Sequence, residues 1–239
     1  MAQFPPKLFF RQLFDHLGSS TYTYLLADED SKEAILIDPV KDQAERDEKL
    51  LGEFGFTLKY AINTHAHADH ISATAILKSK LPGVKSVIST SSGGDADVHV
   101  KHGDVIRFGS FQLECLSTPG HTSGCTCFYF GAGNCVFSGD VLFIRGCGRT
   151  DFQGGSSEDL YDSVHTHLFT LGDTTVVYPG HDYKGMLMTT IGEEKRLNPR
   201  LGMGKTKEEF VAIMKGLNLP YPKLLDVAVP VNLKDGREE

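Results

Sequence analysis

Metal-binding side chains follow four separate apolar segments of this chain, each at the point where a strand would end. The richest group is Asn63-Thr64-His65-Ala66-His67-Ala68-Asp69-His70, directly after the apolar segment Leu58 to Ile62. His121, Asp140 and His181 follow the other three segments, and each stands beside a glycine that permits a tight turn. Because ligand sites collect in crevices outside strand ends, we expect the four ends to converge on one site.

Imidazole and carboxylate groups at the density of the first cluster are typical of metal-ligand chemistry. His65 and His67 lie two residues apart, so in an extended backbone their side chains share one face. Asp69 and His70 are predicted to begin the next helix, which turns the chain back over the same place. The alternative is a solvated polar loop with Asp69 as a helix cap. That alternative is disfavoured, because several imidazoles meeting without a metal would share charge or stay unsatisfied.

The pattern of apolar residues changes along the chain. In the first third, strand-like segments alternate with helices: a charged amphipathic segment from Gln43 to Phe54 closes at Gly55, and a second helix runs from about Asp69 to Leu81. From His102 to Gly139 hairpins dominate. An α/β fold with two sheets flanked by helices accounts for this order better than a purely parallel sheet.

Helical patterns return in the second half of the chain. One helix is predicted from Ser157 to Phe169, and Thr206 with Glu209 indicates a capping-box start for another. Prolines near the C-terminus predict an irregular tail. We assign residues 1–195 to one main domain and residues 196–239 to a C-terminal extension packed on that same domain.

The strand-end residues carry more information as a series than singly, since Gly-His and Gly-Asp pairs also occur in ordinary turns. In their order, His65-x-His67-x-Asp69-His70 followed by His121, Asp140 and His181 resembles the ligand series of the metallo-β-lactamase superfamily. Within that superfamily the chain is similar to the persulfide dioxygenases from Arg11 to about Asn232. The stretches that carry this similarity are Ile144-Arg145-Gly146-Cys147-Gly148-Arg149-Thr150-Asp151-Phe152-Gln153, Tyr178-Pro179-Gly180-His181-Asp182-Tyr183, Asn198-Pro199-Arg200 and Asp226-Val227-Ala228-Val229-Pro230.

The resemblance implies a fold and a metal. The fold is an αβ/βα sandwich, in which two mixed β-sheets are flanked by helices and the metal lies at one edge. The metal is a single Fe(II) per chain, held by His65, His121 and Asp140. Two imidazoles and one carboxylate leave open positions for O₂ and for a substrate sulfur. None of these ligands is a cysteine, which suits chemistry that would oxidise a bound thiolate.

A second set of side chains surrounds these ligands in the same resemblance. Their implied role is to orient the ligands or to shuttle protons: His67, Asp69, His70 and His181. In hydrolytic relatives the same positions hold a second metal, and the sequence leaves this alternative open. Gly180 departs from the family, which often has alanine there, and we expect this glycine not to disturb ligation.

Glutathione carries two carboxylates, so its pocket needs cationic and hydroxyl donors. The resemblance implies that Arg149 and Tyr183 line this pocket, with Thr122 as a weaker candidate. The alternative for Arg149 is a structural ion pair with Asp151 or another acidic residue of the loop. The alternative for Tyr183 is a half-buried position in the core.

The predicted activity is that of an iron-dependent dioxygenase in sulfide catabolism, which oxidises glutathione persulfide with O₂ to sulfite and glutathione. The nearest rival is a thioester hydrolase of the glyoxalase II type, with two metals and a bridging hydroxide. The loop from Arg145 to Gln153 and the ending after Asp226 favour the dioxygenase. A rival of another class is an interaction module that has lost catalysis, and the intact ligand series argues against it.

Composition limits the classes of partner and the cellular compartments that we expect for this chain. The 24 basic and 31 acidic side chains give a net charge of −7 at pH 7, which argues against nucleic acid and anionic membranes as partners. Five scattered cysteines favour a reducing compartment. Met1 to Phe10 shows neither a secretory signal nor an Arg-rich presequence. We expect a homodimer that is not secreted, cytoplasmic if bacterial and in the mitochondrial matrix if eukaryotic.

Overall fold

Two six-stranded β-sheets face each other in the computed structural model, which describes residues 4–238. The first sheet contains, in spatial order, β1 (Leu8–Phe14), β2 (Tyr22–Asp28), β3 (Glu33–Ile37), β4 (Thr57–Ile62), β5 (Lys85–Ser89) and β6 (Val98–Val100). The second sheet contains, in reverse spatial order, β7 (Val105–Phe108), β8 (Phe111–Ser117), β9 (Thr126–Phe130), β10 (Cys135–Gly139), β11 (Val176–Pro179) and β12 (Thr189–Thr190). Each sheet has parallel and antiparallel pairs, so the predicted sandwich of two mixed sheets is confirmed.

Side-chain alternation along the strands divides the apolar residues between the layers. In β2, Tyr22, Tyr24 and Leu26 point into the space between the sheets, whereas Leu25 and Ala27 face the outer layer. All five are buried. Because burying each large apolar side chain stabilises the fold by about 1.5–3 kcal/mol, this doubly buried strand holds the two sheets in a fixed relation. The strand ends, and the residues just beyond them, are positioned accordingly.

Helices cover the outer face of each sheet. In chain order they are α1 (Ala44–Phe54), α2 (Thr74–Lys80), α3 (Ser157–Ser163), α4 (Ile191–Leu197), α5 (Lys207–Lys215) and α6 (Leu225–Asn232). Leu51 and Leu77 pack α1 and α2 on the first sheet. Leu160 and Phe210 pack α3 and α5 on the second sheet. Within residues 4–238, none of these helices is long and apolar enough to cross a membrane.

Two helix boundaries follow local rules that the sequence makes visible. Gly55 ends α1 with a left-handed φ of 67°, and its N–H donates to the carbonyl of Gly52 at 3.2 Å. Thr206 and Glu209 form the capping box that begins α5. Both predictions are confirmed.

The prediction that a helix begins at Asp69 is wrong. The helix α2 begins only at Thr74, so Asp69 and His70 lie in a loop that continues from β4. This loop spans residues 63–73. Its backbone groups therefore find partners outside a helix, and those partners decide where its histidines point.

Two other helical predictions need correction. The helix predicted from Ser157 to Phe169 is α-helical only to Ser163 and continues as a π-helical turn, Val164–Leu168. The C-terminal tail is not irregular throughout, because α6 forms there with Pro230 in its last turn. Strands β1, β6 and β12 and helix α4 also lie outside the segments that the sequence pattern singled out.

C-terminal residues contact the rest of the chain closely. Phe210 and Met214 of α5 belong to the apolar cluster on the second sheet. Asp235, after α6, accepts a hydrogen bond from Lys78 of α2 at 2.7 Å. The division into residues 1–195 and 196–239 stays a prediction, and its outer limits lie beyond the described residues.

Candidate metal centre

The four predicted strand ends meet at one edge of the sandwich. β4 of the first sheet leads to His65, while β8, β10 and β11 of the second sheet lead to His121, Asp140 and His181. An antiparallel bridge between Thr21 and His181 joins the two sheets beside this edge. Side chains that are far apart in sequence are thereby brought within reach of one another.

His65, His121 and Asp140 form the first donor group. One ligand atom from each lies within 4.8 Å of those of the other two, and all three residues are buried. Nε2 of His121 is 3.6 Å from Oδ2 of Asp140, which is too long for a hydrogen bond. Two ligands that share an ion at bond lengths of about 2.1 Å lie roughly 3 to 3.5 Å apart. The spacing therefore suits a metal ion between the groups better than a direct contact.

A chain of hydrogen bonds orients His65. The hydroxyl of Thr64 donates to Oδ2 of Asp38 at 2.9 Å and lies 3.0 Å from Nδ1 of His65. Because that hydroxyl has one proton, it accepts from Nδ1–H of the imidazole. Nε2 of His65 is left with a lone pair, and it is buried without a hydrogen-bond partner among the described residues. A buried acceptor without a hydrogen-bond partner is typical of an atom that ligates a metal ion.

His121 is oriented from the opposite side. Its Nδ1 donates to the carbonyl of Arg149 at 2.6 Å, so its Nε2 lone pair faces Asp140. Oδ1 of Asp140 is also buried with no hydrogen bond from residues 4–238. Gly148 allows this arrangement, since a Cβ there would lie 2.4 Å from the Asp140 carbonyl oxygen and 2.8 Å from Nδ1 of His121.

His67, Asp69 and His70 form a second donor group, whose ligand atoms also lie within 4.8 Å of one another. Nε2 of His67 is 3.0 Å from Oδ1 of Asp38, and Nδ1 of His70 is 2.9 Å from Oδ2 of Asp69. The other ring nitrogen of each histidine is buried and unpartnered within the described part of the chain. His181 lies between the two groups, with Nε2 at 3.5 Å from both Asp69 and Asp140.

Asp38 is a site residue that the sequence analysis missed. It follows β3 directly, has a positive φ of 52°, and is buried. Its carboxylate accepts from the backbone N–H and the hydroxyl of Thr64 and contacts His67, so it orients both donor groups. The strand-end rule that selected Asp140 applies equally to Asp38.

The protonation of these groups suits metal binding. Burial, reinforced by His67, lowers the pKa of His65 well below its ordinary value. Burial, reinforced by His70, lowers the pKa of His67 to about 3. Burial raises the pKa of Asp69, but His70 and His181 outweigh it and bring that pKa well below its usual range. Neutral imidazoles and an ionised carboxylate are the forms that bind metal ions.

Both donor groups open onto a cavity of about 400 Å³. Asp69, His121, Asp140 and His181 form part of its wall. The lining also includes four cationic side chains: Arg145, Arg149, Lys184 and Arg200. A small molecule with anionic groups and a metal-binding end matches this distribution of charge.

Arg149 forms the ion pair that the sequence gives as its alternative, and its role in a glutathione pocket stays a prediction. Its guanidinium is paired with both carboxylate oxygens of Asp151, at 2.6 and 2.8 Å, and also donates to the carbonyl of Pro220 at 2.8 Å. The structural ion pair is therefore present. Arg149 lines the cavity as well.

Tyr183 and Thr122 occupy different places. Tyr183 is 73% exposed, so it is not a half-buried core residue, and it lines the cavity with its ring parallel to that of His181 at 5.8 Å. Thr122 is buried, its hydroxyl 3.2 Å from Sγ of Cys125. It lines a separate, smaller cavity of about 160 Å³.

Arg200 lines the cavity and, like Asp38, was not selected from the sequence as part of the site. It belongs to the stretch Asn198-Pro199-Arg200, and its guanidinium donates to the carbonyl of Cys147 at 3.1 Å. Burial raises the pKa of Cys147 to about 11 despite this arginine. Cys147 is therefore a packed thiol, and Arg200 is a further cation for an anionic ligand.

Comparisons with known proteins agree with the geometry. Residues 17–181 match the family model described as the metallo-beta-lactamase superfamily. The mitochondrial persulfide dioxygenase ETHE1 of Mus musculus is 53% identical over 226 residues, which cover 95% of this chain and 88% of that protein. A probable hydroxyacylglutathione hydrolase of Schizosaccharomyces pombe is more distant, at 34% identity over 68% of this chain and 64% of its own length.

A solved structure gives the same result. The crystal structure of ETHE1 from Myxococcus xanthus has a TM-score of 0.92 and 50% identity to this chain, and the alignment covers 96% of this chain and all of the other. The fold and the sequence identity over nearly the whole chain therefore point to the same family. The chain belongs to the persulfide dioxygenase family of the metallo-β-lactamase superfamily.

Proposed function

We propose that this chain is an Fe(II)-dependent persulfide dioxygenase, which oxidises glutathione persulfide with O₂ to sulfite and glutathione. The observation that carries the proposal is 53% identity to a curated persulfide dioxygenase across 95% of the chain. In the balanced reaction, persulfide, O₂ and water yield thiol, sulfite and two protons. The S–S bond breaks, the inner sulfur leaves as the thiol, and O₂ accepts the four electrons that the outer, sulfane-level sulfur loses on becoming sulfite.

The donor chemistry supports iron as the metal, one ion per chain. His65, His121 and Asp140 supply two imidazoles and one carboxylate, the set that holds non-haem Fe(II) with positions left open. The buried, unpartnered Nε2 of His65 and Oδ1 of Asp140 fit this role. When bound, the ion supplies the O₂ chemistry that side chains lack.

The protein's own contribution is orientation and charge. Thr64 and the Arg149 carbonyl fix the tautomers of His65 and His121 through hydrogen bonds at 3.0 and 2.6 Å. Arg149, Tyr183 and Arg200 line the cavity beside these groups. We propose that the arginines bind the carboxylates of the thiol carrier, which brings the terminal sulfur to the buried end of the cavity.

The second donor group favours one competing function, a dinuclear thioester hydrolase. His67, Asp69 and His70 lie as close together as the first group does. In our proposal these residues orient the metal ligands, and Asp38 and Asp69 satisfy one ring nitrogen of each histidine. Metal content and reaction products separate the two functions.

The test uses protein purified anaerobically and loaded with Fe(II). Elemental analysis should give about one iron per chain, and an oxygen electrode should record O₂ uptake only after glutathione persulfide is added. Sulfite should form in equal amount to the O₂ consumed. Two bound ions per chain, hydrolysis of a glutathione thioester and no O₂ uptake would instead establish the hydrolase.

We also propose a homodimer located in the bacterial cytoplasm or, in a eukaryote, in the mitochondrial matrix. The mouse relative is described as mitochondrial. All five cysteines are free and buried, which is compatible with a reducing compartment. Light scattering coupled to size-exclusion chromatography measures the assembly directly, and a monomer mass at micromolar concentration would contradict the dimer.

A further inference from the structure

Asn232, the last residue of α6, reaches the loop that carries His67 and His70. Its Nδ2 donates to the carbonyl of His67 and to the carbonyl of His70, both at 2.8 Å. Its Oδ1 accepts from the backbone N–H of Ser72, also at 2.8 Å. The side chain is buried. Both amide protons are thereby used, and all three partners are backbone groups of one loop.

Those backbone groups lack the partners that regular structure would supply. The loop of residues 63–73 lies between β4 and α2, and its one regular backbone contact among the described residues is an isolated bridge of Ser72 with Val40. That bridge uses the carbonyl of Ile71 and the N–H of Ala73, so it leaves the three groups that Asn232 binds without a partner of this kind. Buried backbone groups must be satisfied. The amide of Asn232 satisfies three of them and makes the irregular path of the loop stable.

The loop is closed on itself as well. The hydroxyl of Ser72 donates to Oδ1 of Asn63 at 2.8 Å, which joins the two ends of the segment. His65 lies inside this closed segment, two residues before the first carbonyl that Asn232 binds. Any change in the path of the loop therefore moves one residue of the first donor group and all of the second.

The position of Asn232 has its own support. Asp235, three residues later, accepts from Nζ of Lys78 at 2.7 Å and from the hydroxyl of Ser86 at 2.9 Å. The carbonyl of Asp235 accepts from the hydroxyl of Thr74 at 2.9 Å. These contacts fasten the C-terminal segment to α2 and β5 without touching the donor loop. Asp235 therefore attaches the C-terminal segment, whereas Asn232 holds the loop.

We propose that Asn232 is a positioning residue for the metal centre, which holds the loop of residues 63–73 in the one path that turns its histidines toward the ion. The residue acts through the backbone and contacts no substrate. The inference rests on the proposed function only in that the centre binds a metal. It does not depend on which reaction follows.

The test compares Asn232→Asp with two control variants. Aspartate keeps the size and the acceptor for Ser72 but removes both donors, and it sets an anionic oxygen against two carbonyls. Asn218→Ala removes an exposed asparagine of the same C-terminal region. Asp235→Asn weakens attachment of the segment while leaving the amide of residue 232 intact.

Two readouts separate positioning from general stability. The first is the dissociation constant for Co(II), measured with a competing chelator, and the second is the visible absorption spectrum of the cobalt protein, which reports ligand geometry. Asn232→Asp should weaken binding by about 10- to 100-fold and change the spectrum, as loss of groups that orient ligands does. Asp235→Asn should lower the melting temperature of the metal-free protein and leave both readouts unchanged.

An unchanged spectrum and affinity in Asn232→Asp would overturn the proposal, and so would equal losses in Asn232→Asp and Asp235→Asn. If the aspartate variant does not accumulate, Asn232→Ser gives the same comparison with a neutral, shorter side chain. Turnover of the wild-type protein is scored separately. Loss of cobalt affinity in a wild type that oxidises no persulfide would therefore uphold the inference while the proposed reaction fails.

Discussion

Nε2 of His67 lies 3.0 Å from Oδ1 of Asp38, and both side chains are buried. The same carboxylate accepts two hydrogen bonds from Thr64, whose hydroxyl orients His65. Asp38 belongs to neither donor group. Its hydrogen bonds nevertheless determine which ring nitrogen of His65 and of His67 faces the centre. Carboxylates in this relation to histidines fix their tautomer and raise their strength as ligands.

Asp38→Asn should weaken Fe(II) binding by about 10- to 100-fold, because the amide would meet the donors of Thr64 and His67 with an N–H group. Equilibrium competition with a chelator under anaerobic conditions measures the affinity. Asp30→Asn, an exposed carboxylate paired with Lys7, is the control. Wild-type affinity in Asp38→Asn would show that the carboxylate does not orient the ligands.

Asp140→Ala should abolish bound iron and activity, because it removes the carboxylate of the first donor group and leaves only two imidazoles there. Elemental analysis after desalting measures the metal. Asp173→Ala, which removes an exposed carboxylate paired with Lys195, should keep full iron. Full iron and full activity in Asp140→Ala would contradict the assignment of the ligands.

Arg149→Ala should raise KM for glutathione persulfide by about 10- to 100-fold, the effect of losing a charge-assisted hydrogen bond. The kcat should change little. Asp151→Asn breaks the same ion pair but keeps the cation in the cavity wall. Its KM should stay near that of the wild type. A similar rise in both variants would mean that Arg149 acts only by holding its loop.

Gly180→Ala tests the space beside the predicted carboxylate ligand. A Cβ at this position would lie 2.5 Å from Oδ1 of Asp140 and 3.0 Å from the carbonyl carbon of Gly139. The Asp140 side chain would have to shift, although the family that this chain resembles often has alanine at this position, so we expect iron affinity to fall by at most about 10-fold with the fold retained. Gly52→Ala, where a Cβ meets no atom within 4 Å and the backbone is helical, is a control for an added methyl group away from the site. An unchanged affinity would show that the carboxylate accommodates the methyl group.

Asp47 should make stability depend on pH away from the metal centre. Burial raises its pKa to about 6, although Arg46 opposes this effect. A carboxyl that binds its proton more tightly in the folded state stabilises the fold at low pH, and this contribution is lost as pH rises from about 4 through about 6. Asp47→Asn should remove this loss. The free energy of unfolding of the variant, compared with that of the wild type, should therefore be more favourable to the fold by about 2–3 kcal/mol at pH 7 than at pH 4.

Urea unfolding of Asp47→Asn and wild type at both pH values measures the difference. Asp42→Asn, an exposed carboxylate just before α1, provides the comparison. A constant difference between Asp47→Asn and wild type across this pH range would contradict the raised pKa.

Local patterns were sufficient for some helix boundaries and for the general location of the centre. The glycine after α1 and the capping box at Thr206 act within a few residues, so the sequence alone locates these ends. His65, His121 and Asp140 were predicted to converge because each follows an apolar strand, and strand ends of a sandwich share an edge. The structure brings them within 4.8 Å of one another.

The contacts that orient these donors depend on tertiary structure. Asn232 and His67 are 165 residues apart, and a buried amide between irregular backbone groups has no periodic signature. The same contact is one physical reason why the helix predicted from Asp69 begins only at Thr74: the side-chain amide satisfies the His70 carbonyl, which a helical turn would otherwise satisfy. By itself, the sequence determined which side chains could bind a metal and at which strand ends they stand. Only the folded chain decided which nitrogen of each histidine faces the centre, because that choice depends on hydrogen bonds between segments that meet only after folding.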